Sequence, residues 1–476
     1  MELTNLTIAQ THDKLTKKEF SAIELATAFL EKIDKEDKKI SAFLTLTRDL
    51  ALSQAKEIDD RILEGREISV LAGVPMAVKD NILVENVRCT AGSKILENYI
   101  APYDATVIKK LKSQGAVILG KTNLDEFAMG SSTENSGFFP TKNPHDLTRV
   151  PGGSSGGSAA TIAANLSVFA LGSDTGGSIR QPASFCGVAG LKPTYGAISR
   201  YGLIAFASSL DQIGPLTKTV EDCRIVFEAI SGKDEMDSTS LNLKFKNQNS
   251  KPQFKIQNIK IGVPKEYFIK GMNVEVEKII KKAVKKIENL GAKIEEISLP
   301  HAEYALPCYY IIAPSEASAN LARFDGIKYG YSQKAAKDLM EVYLQSREKG
   351  FGAEVRRRIM LGTYALSAGY YEAYYKRAQK VRTLIKEDFQ EAFEKVDLIL
   401  TPVSPSVAFK LGEKISDPLT MYLSDIFTIA VNLAGLPALS LPCGKVNNLP
   451  VGLQIIGNKF QEHEILKAAE IFEKSR

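Results

Sequence analysis

Two glycine–serine runs lie close together in this sequence, Pro151-Gly152-Gly153-Ser154-Ser155-Gly156-Gly157-Ser158 and Gly172-Ser173-Asp174-Thr175-Gly176-Gly177-Ser178. Such runs are typical of flexible linkers. Here, however, they abut apolar segments at 159–164 and 167–171, and linkers do not normally interrupt a core-like stretch. We therefore interpret the runs as tight turns, each presenting a serine hydroxyl at the start of a predicted helix.

Strand and helix patterns alternate outward from these turns. The sequence predicts helices over 1–70, and then strands and helices that alternate through a core at 71–232. Predicted strands lie at 71–78, 116–119, 167–171, 188–191, 259–263, 398–402 and 453–456, and predicted helices at 21–33, 104–114 and 274–290. This alternation is typical of a sheet covered by helices. We expect one α/β domain over 1–476, with a surface loop at 233–255 and a mainly helical insertion at 300–395.

Composition excludes several classes of protein. The 476 residues are 44% hydrophobic and 25% charged, with a formal net charge of +5, which gives little support for direct nucleic-acid binding. The five cysteines form no Cys-x-x-Cys pair, as is usual in a reducing compartment. No signal-peptide core and no run of about 20 apolar residues is present. We therefore predict a cytoplasmic protein without a membrane segment.

One motif points to nucleotide binding, and we reject it. Residues 115–122 fit the phosphate-loop pattern Gly-x4-Gly-Lys-Thr. In a phosphate loop, the four intervening residues form a turn whose amides surround phosphate. Here they are Ala-Val-Ile-Leu, an apolar stretch that follows a predicted helix and reads as a strand. We expect no ATP or other cofactor on this chain.

The residues suggest acyl transfer by a serine that does not rely on histidine. Ser178 is the best candidate nucleophile, although Ser154 lies in an equally open turn. Lys79 ends an apolar strand that would bury it, and burial lowers the pKa of a lysine towards neutrality. A neutral lysine can take a proton from a serine directly or through a second serine. A salt bridge between Lys79 and Asp80 is the structural alternative.

Acyl transfer also needs donors for the oxyanion, and the glycine-rich second run offers backbone amides. We expect the oxyanion hole to be formed by N–H groups of Thr175, Gly176, Gly177 and Ser178. The histidines form no metal-ligand or triad pattern; they are His12, His145, His301 and His463. We therefore predict neither a histidine triad nor a metal site.

The two runs also carry a resemblance to a known family. The tracts 151–158 and 174–180 match the motif of the amidase signature family nearly residue for residue, within a similar block over 73–193. The resemblance implies a large mixed sheet with helices on both faces. It also implies that Asp174 and Arg180 support the structure rather than take part in the chemistry.

The resemblance assigns roles to three residues. It implies a Ser–cis-Ser–Lys triad in which Ser178 is the nucleophile, Ser154 the bridging serine and Lys79 the terminal base. The peptide bond that joins Gly153 to Ser154 would be cis.

Within this family, the chain is similar over nearly its whole length to the glutaminase subunits of tRNA-dependent amidotransferases. The similarity includes residues 125–132 and 356–363. It implies hydrolysis of glutamine to glutamate and ammonia, and use of the ammonia to convert Glu-tRNA(Gln) into Gln-tRNA(Gln). It also implies a heterotrimer with amidotransferase subunits B and C, in which B binds ATP, magnesium and most of the misacylated tRNA. The alternative is a stand-alone amidase that acts on small amides.

The same resemblance implies a glutamine pocket. Arg358 would bind the α-carboxylate, Asp425 the α-amine, and Tyr309 would line the pocket. Glutamine is a zwitterion, so its pocket needs a cation and an anion. The sequence by itself does not single these residues out. Its local pattern is equally compatible with Arg358 as an exposed surface residue and with Tyr309 as an aromatic residue of the core.

Overall fold

A computed structural model describes residues 2–241 and 254–476. The middle of the predicted surface loop, 242–253, lies outside these residues. Within them, eleven strands form one sheet: β1 Phe43–Leu46, β2 Pro75–Lys79, β3 Val117–Thr122, β4 Phe169–Asp174, β5 Ala189–Lys192, β6 Gln212–Thr217, β7 Lys260–Pro264, β8 Lys293–Ile297, β9 Leu398–Pro402, β10 Ala438–Val446 and β11 Leu449–Gly457.

Helices flank this sheet. They are α1 Ile8–Thr16, α2 Ala22–Ile40, α3 Arg48–Leu63, α4 Thr106–Ser113, α5 Gly156–Ala163, α6 Arg180–Cys186, α7 Val220–Ile230, α8 Val274–Asn289, α9 Ala305–Asn320, α10 Leu339–Gly350, α11 Ala353–Leu366, α12 Arg377–Phe393, α13 Pro418–Tyr422, α14 Ile429–Ala434 and α15 Glu462–Lys474. The predicted helical region at 300–395 holds α9 to α12. In the described parts of the chain, no helix has the length and apolar run needed to cross a bilayer.

The sheet is mixed, as predicted. Its strand order is β1-β3-β2-β4-β6-β5-β10-β11-β9-β7-β8. Strand β2 pairs in parallel with β3 and β4, and β7 pairs in parallel with β8 and β9. The remaining pairs, including β4 with β6 and β10 with β11, are antiparallel. Strands from the last third of the chain therefore extend the same sheet that the glycine–serine runs adjoin.

The centre of the sheet is buried on both faces. Every residue of β2, β3 and β4 is buried, because helices cover both sides. Helix α8 shows how the covering helices are specified: Asn273 caps its first turn, and its buried residues follow the helical period at Val276, Ile280, Ala283 and Ile287. The amphipathic helix predicted at 274–290 is confirmed.

Several strands were not predicted. Residues 1–70 are helical as expected except for β1, a four-residue strand that pairs with β3. Strand β6 contains Gly214 and Pro215, which usually indicate a turn. In the structure, Pro215 lies opposite Leu171 of β4 inside the antiparallel pair. Strands β8 and β10 were also missed.

Candidate active site

Two turns at the ends of neighbouring strands build the site. Lys79 is the last residue of β2, and parallel pairing of β2 with β4 places it beside the end of β4. Ser154 precedes α5, and Ser178 lies between β4 and α6. The backbone N–H of Ser155 donates to the carbonyl oxygen of Ser178 at 3.1 Å. The structure thus brings Lys79 and the two serine-bearing turns together.

Lys79 is fully buried among hydroxyl groups. Its Nζ donates to Ser154 Oγ at 2.7 Å, Ser155 Oγ at 2.8 Å and Ser173 Oγ at 3.0 Å. Burial lowers the pKa of Lys79 to about 7, although nearby carboxylates oppose the shift. A large fraction of this lysine is therefore neutral near physiological pH and able to accept a proton.

The salt bridge that the sequence allows between Lys79 and Asp80 is absent from the described residues. Asp80 instead pairs with Lys121 at 2.9 Å, and both side chains are buried. Lys121 belongs to β3, so residues 117–122 form a strand rather than a phosphate-binding loop. The structure also shows, in its described ranges, no group of three or more potential metal-ligating side chains.

The hydrogen bonds distinguish the two adjacent serines. The hydroxyl of Ser155 donates to the Ser173 carbonyl at 3.0 Å and accepts from the Ser173 N–H at 3.2 Å. Its proton is therefore already bound. The hydroxyl of Ser154 accepts from Lys79 and donates to no acceptor among residues 2–241 and 254–476. Ser154 is consequently the serine that has a proton to pass on.

The backbone around Ser154 has the conformation that the resemblance implies. The Gly153–Ser154 peptide bond is cis. A Cβ atom on Gly153 would overlap Asp125 Oδ2, so only glycine fits at this position. Asp125 in turn accepts hydrogen bonds from the N–H groups of Thr133 and Asn135. The Ser154 turn therefore packs directly against a buried carboxylate.

Asp174 organises the turn that carries Ser178. Its carboxylate accepts from the N–H groups of Gly177 at 2.8 Å and Ile179 at 3.0 Å, on either side of Ser178. Arg180 binds the same carboxylate through two nitrogens. Burial by itself would raise the pKa of Asp174, but the Arg180 guanidinium outweighs it and holds the pKa well below the usual range. Asp174 stays charged and keeps the turn in place.

Arg180 also joins this turn to the last third of the chain. Its NH1 donates to the Thr428 carbonyl at 3.2 Å and to Gln454 Oε1 at 2.6 Å, and its NH2 donates to Asn432 Oδ1. The guanidinium is completely buried, so these contacts satisfy a charge that would otherwise be costly. The two halves of the sequence thus meet at the base of the Ser178 turn.

One of the four N–H groups predicted to form the oxyanion hole has a partner in the structure. Among the four candidate donors, the Gly177 N–H is already bound to Asp174. The N–H groups of Thr175, Gly176 and Ser178 donate to no group in the described parts of the chain. Ser178 is 7% exposed, whereas Lys79 and Ser154 are fully buried. The N–H groups of Thr175, Gly176 and Ser178 are therefore free to donate to a ligand, whereas Gly177 would first have to leave Asp174.

Tyr309 packs directly on this turn. A Cβ atom on Gly176 would lie 2.8 Å from the hydroxyl of Tyr309, so the tyrosine closes over the backbone of the turn. Tyr309 belongs to α9, which packs against α11 so closely that a Cβ on Gly362 would overlap the Pro314 carbonyl. The helix pair α9–α11 therefore carries both Tyr309 and Arg358 to the site.

Arg358 is buried, unlike its neighbours Arg356 and Arg357. It is 3% exposed, and its Nε donates to Glu354 Oε1 at 2.8 Å. Its guanidinium lies 5.3 Å from the ring centre of Tyr310 and 5.4 Å from that of Tyr422. Its two terminal nitrogens make no hydrogen bond to the described residues. These two nitrogens form a planar pair of hydrogen-bond donors that is available to a ligand.

Asp425 is the anion that complements the positive charge of Arg358. Its Oδ2 accepts from the Ser131 hydroxyl, whereas its Oδ1 is buried without a hydrogen-bond partner among the described residues. Burial raises the pKa of Asp425 to about 7. Thr428, three residues later, donates to the Gly176 carbonyl at 2.6 Å, which fixes this segment to the Ser178 turn. An ammonium group next to Oδ1 would supply the missing donor and favour the charged carboxylate.

Sequence reasoning missed the residues that support this pocket. Glu354, Ser131 and Asp125 were not singled out. The spacing of Glu354 and Arg358, four positions apart on a helix, could have indicated their ion pair. No local signal connects Ser131 with Asp425, because they are 294 positions apart.

Comparisons with known proteins agree with this geometry. The Amidase family model matches residues 24–466. The glutamyl-tRNA(Gln) amidotransferase A-subunit of Carboxydothermus hydrogenoformans is 60% identical over 475 residues, which cover 100% of this chain and 98% of that protein. The crystal structure of the corresponding A-subunit from Thermotoga maritima is 47% identical, covers 100% of this chain and 95% of that one, and superposes with a TM-score of 0.81.

A more distant structural neighbour is named as a peptide amidase. The peptide amidase of Stenotrophomonas maltophilia is 28% identical over 99% of this chain and 97% of that one, with a TM-score of 0.80. The family model and the relatives all cover almost the entire chain. This chain belongs to the amidase family.

Proposed function

We propose that this chain is the glutaminase subunit of a tRNA-dependent amidotransferase. It hydrolyses glutamine to glutamate and ammonia, and a partner subunit uses the ammonia and ATP to convert Glu-tRNA(Gln) into Gln-tRNA(Gln). The observation that carries the proposal is a cation and an anion with unused hydrogen-bonding atoms. Arg358 has two free nitrogens and Asp425 has a buried oxygen without a partner in the described residues, so a bound α-amino acid would satisfy both.

Lys79 and Ser154 activate Ser178 in this scheme. The Ser178 hydroxyl attacks the side-chain amide carbon of glutamine while its proton passes to Ser154, whose own proton passes to neutral Lys79. The N–H groups of Thr175, Gly176 and Ser178 bind the oxyanion. The protons return by the same route to the amide nitrogen, the C–N bond breaks, and ammonia leaves. Water then hydrolyses the glutamyl ester and regenerates Ser178.

The named relatives support the part of the proposal that concerns partner subunits. A full-length relative at 60% identity is named as the A-subunit of an amidotransferase, so the chain has partner subunits. We infer that these are subunits B and C, and that B binds ATP, magnesium and the misacylated tRNA. Lys121, the lysine of the phosphate-loop-like motif, forms an ion pair with Asp80.

A stand-alone amidase for small amides is the second candidate. The similarity to the peptide amidase supports a shared triad, but it is much lower than that to the amidotransferase subunits. A small amide without an α-carboxylate and an α-amine would leave the two terminal nitrogens of Arg358 and the Oδ1 of Asp425 without hydrogen-bond partners among the described residues. The pocket therefore favours glutamine.

Ammonia release by the chain co-purified with subunits B and C tests the proposal. We expect glutamine hydrolysis that increases when ATP and Glu-tRNA(Gln) are added and is lost in Ser178→Ala. Ser158→Ala is a matched control, since Ser158 lies on α5 and bonds Thr122 and the Leu171 carbonyl instead of Lys79. Equal hydrolysis of simple amides by the isolated chain, without any response to tRNA, would contradict the proposal.

A further inference from the structure

Gln181 is a buried polar residue to which the proposed mechanism gives no role. It is the second residue of α6, directly after Arg180, and its side chain is completely buried. Its backbone N–H donates to the carbonyl oxygen of Gly177 at 2.8 Å. Gln181 is therefore attached to the Ser178 turn through its backbone, while its side chain is able to bind other segments.

The two ends of the Gln181 amide bind two different segments of the site. The Oε1 atom accepts a hydrogen bond from the Gly153 N–H at 2.9 Å, and Gly153 directly precedes Ser154, the proposed bridging serine. The Nε2 atom donates to the Ser131 carbonyl oxygen at 2.8 Å. A backbone N–H can only donate and a carbonyl can only accept, so these partners fix the orientation of the amide. One side chain thus bridges the Ser154 turn and the segment that contains Ser131.

Ser131 connects this amide with the glutamine pocket. Its hydroxyl donates to Asp425 Oδ2, while the other carboxylate oxygen, Oδ1, has no partner among the described residues. The direction of the carboxylate therefore depends on the position of the Ser131 backbone. Gln181 binds that backbone through the carbonyl of the same residue. The proposed amine-binding oxygen is in this way linked to Gln181 through a single residue.

The two bridged segments lie very close to each other. A Cβ atom on Gly153 would lie 2.5 Å from the Ser132 nitrogen and 2.9 Å from the Ser131 carbonyl carbon. A Cβ atom on Gly152 would overlap Gln181 Oε1 itself. Neither segment can move towards the other without a clash, and the amide keeps them from moving apart.

Other contacts hold the fold of this region when the amide is removed. Thr133 Oγ1 donates to the Gly152 carbonyl oxygen at 2.7 Å. Asp125 accepts hydrogen bonds from the N–H groups of Ser132 at 3.3 Å and Thr133 at 2.9 Å. We therefore expect that replacing Gln181 changes the alignment of the two segments without unfolding them.

We propose that Gln181 is a positioning residue that aligns the bridging serine with the amine-binding carboxylate, Ser154 through Gly153 and Asp425 through Ser131. Glutamine bound at Asp425 then presents its side-chain amide to Ser178 while Ser154 is placed to receive the proton. Gln181 acts through the backbone of its neighbours and is not itself a catalytic residue. The inference rests on the proposed function, because it takes glutamine as the substrate.

Steady-state hydrolysis of glutamine by the complex with subunits B and C tests this role. Gln181→Met has a similar length but makes neither hydrogen bond. It should raise KM about ten-fold and lower kcat about ten-fold, the effect of about one lost hydrogen bond on each segment. Gln181→Glu keeps an acceptor for the Gly153 N–H and should restore kcat to within about three-fold of the wild type. The kcat values are taken from the plateau of each pH profile, so that a shift in the pKa of Lys79 does not affect them.

A double-mutant cycle identifies the residue through which Gln181 affects KM. If the effect passes through the Ser131 hydroxyl, Gln181→Met should raise KM much less in a Ser131→Ala background than in the wild type. Gln54→Met is the matched control, because Gln54 on α3 also binds a backbone N–H, that of Ile118 at 2.9 Å, outside the site. This control should leave both KM and kcat unchanged.

Four outcomes would overturn the inference: wild-type kinetics in Gln181→Met, a fall in kcat alone that Gln181→Glu does not reverse, effects on KM that add fully across the cycle, or a Gln181→Met chain that thermal unfolding shows to be unfolded. A merely structural role would give the second or the fourth. The wild-type complex separates these outcomes from failure of the proposed function. If it hydrolyses glutamine, a negative result concerns Gln181 alone; if it hydrolyses none, the proposed function fails and this inference fails with it.

Discussion

Replacing Ser155 by alanine tests which of two adjacent serines passes the proton of the nucleophile. Ser154 and Ser155 contact Lys79 at nearly the same distance, 2.7 Å and 2.8 Å. The hydrogen-bond pattern gives them different roles, because the Ser155 proton is bound to the Ser173 carbonyl. Ser155→Ala should therefore keep the proton relay and change only the environment of Lys79.

The size of the effect follows from the lost hydrogen bond. A hydrogen bond to a charged group contributes about 1.5–3 kcal/mol, equivalent to about 1–2 pKa units. Its loss disfavours charged Lys79, so the pKa should fall from about 7 to about 5–6. The base is active when neutral, and a lower pKa extends activity to lower pH. At about pH 6, the neutral fraction should rise from about a tenth to about three quarters.

The assay is ammonia release at saturating glutamine between about pH 5 and 9. In the wild type, the rate should rise through about pH 7 and then level off. In Ser155→Ala, the same rise should occur about 1–2 pH units lower, with a similar plateau. Ser154→Ala should be inactive at every pH. If Ser155→Ala is inactive throughout while it still binds glutamine, or if Ser154→Ala retains activity, the assignment of the relay is wrong.

Three further substitutions probe the pocket and the core. Glu354→Gln removes the ion pair that orients Arg358 and should raise KM for glutamine about ten-fold with a smaller change in kcat; an unchanged KM would contradict this role. Asp425→Asn should raise KM by about 10–100-fold and abolish the increase in KM that protonation causes below about pH 7. Lys121→Met leaves the buried Asp80 unpaired and should lower the free energy of unfolding by about 3–5 kcal/mol in urea titrations; a loss below about 1 kcal/mol would count against it.

The candidate catalytic residues could be located from the sequence more easily than the candidate residues of the glutamine pocket. Lys79, Ser154 and Ser178 lie in glycine-rich turns or at a strand end, where local patterns are strong. Arg358 lies in a run of three arginines, and the local pattern does not show which of them is buried. Only the packing of α11 against α9 determines that.

The remaining errors have the same origin. The sequence left the partner of Lys79 open because the residue that binds Asp80, Lys121, is 41 positions away. Strand β6 was missed because Gly214 and Pro215 normally break strands, and its pairing with β4 outweighs that preference. In each case a contact distant in sequence decided what local propensity could not.

The contacts of Arg180 have a consequence for the synthesis of the protein. The Ser178 turn is complete only when Arg180 bonds Thr428 and Gln454, which follow it by 248 and 274 positions. A nascent chain therefore carries all three residues of the proposed triad long before it can hold them in place. Until the C-terminal segment leaves the ribosome, Arg180 can bind Asp174 but lacks its acceptors on Thr428, Asn432 and Gln454, and the region stays incompletely folded. Incomplete chains should thus not consume glutamine, because the ability to cleave it arises only at the end of translation.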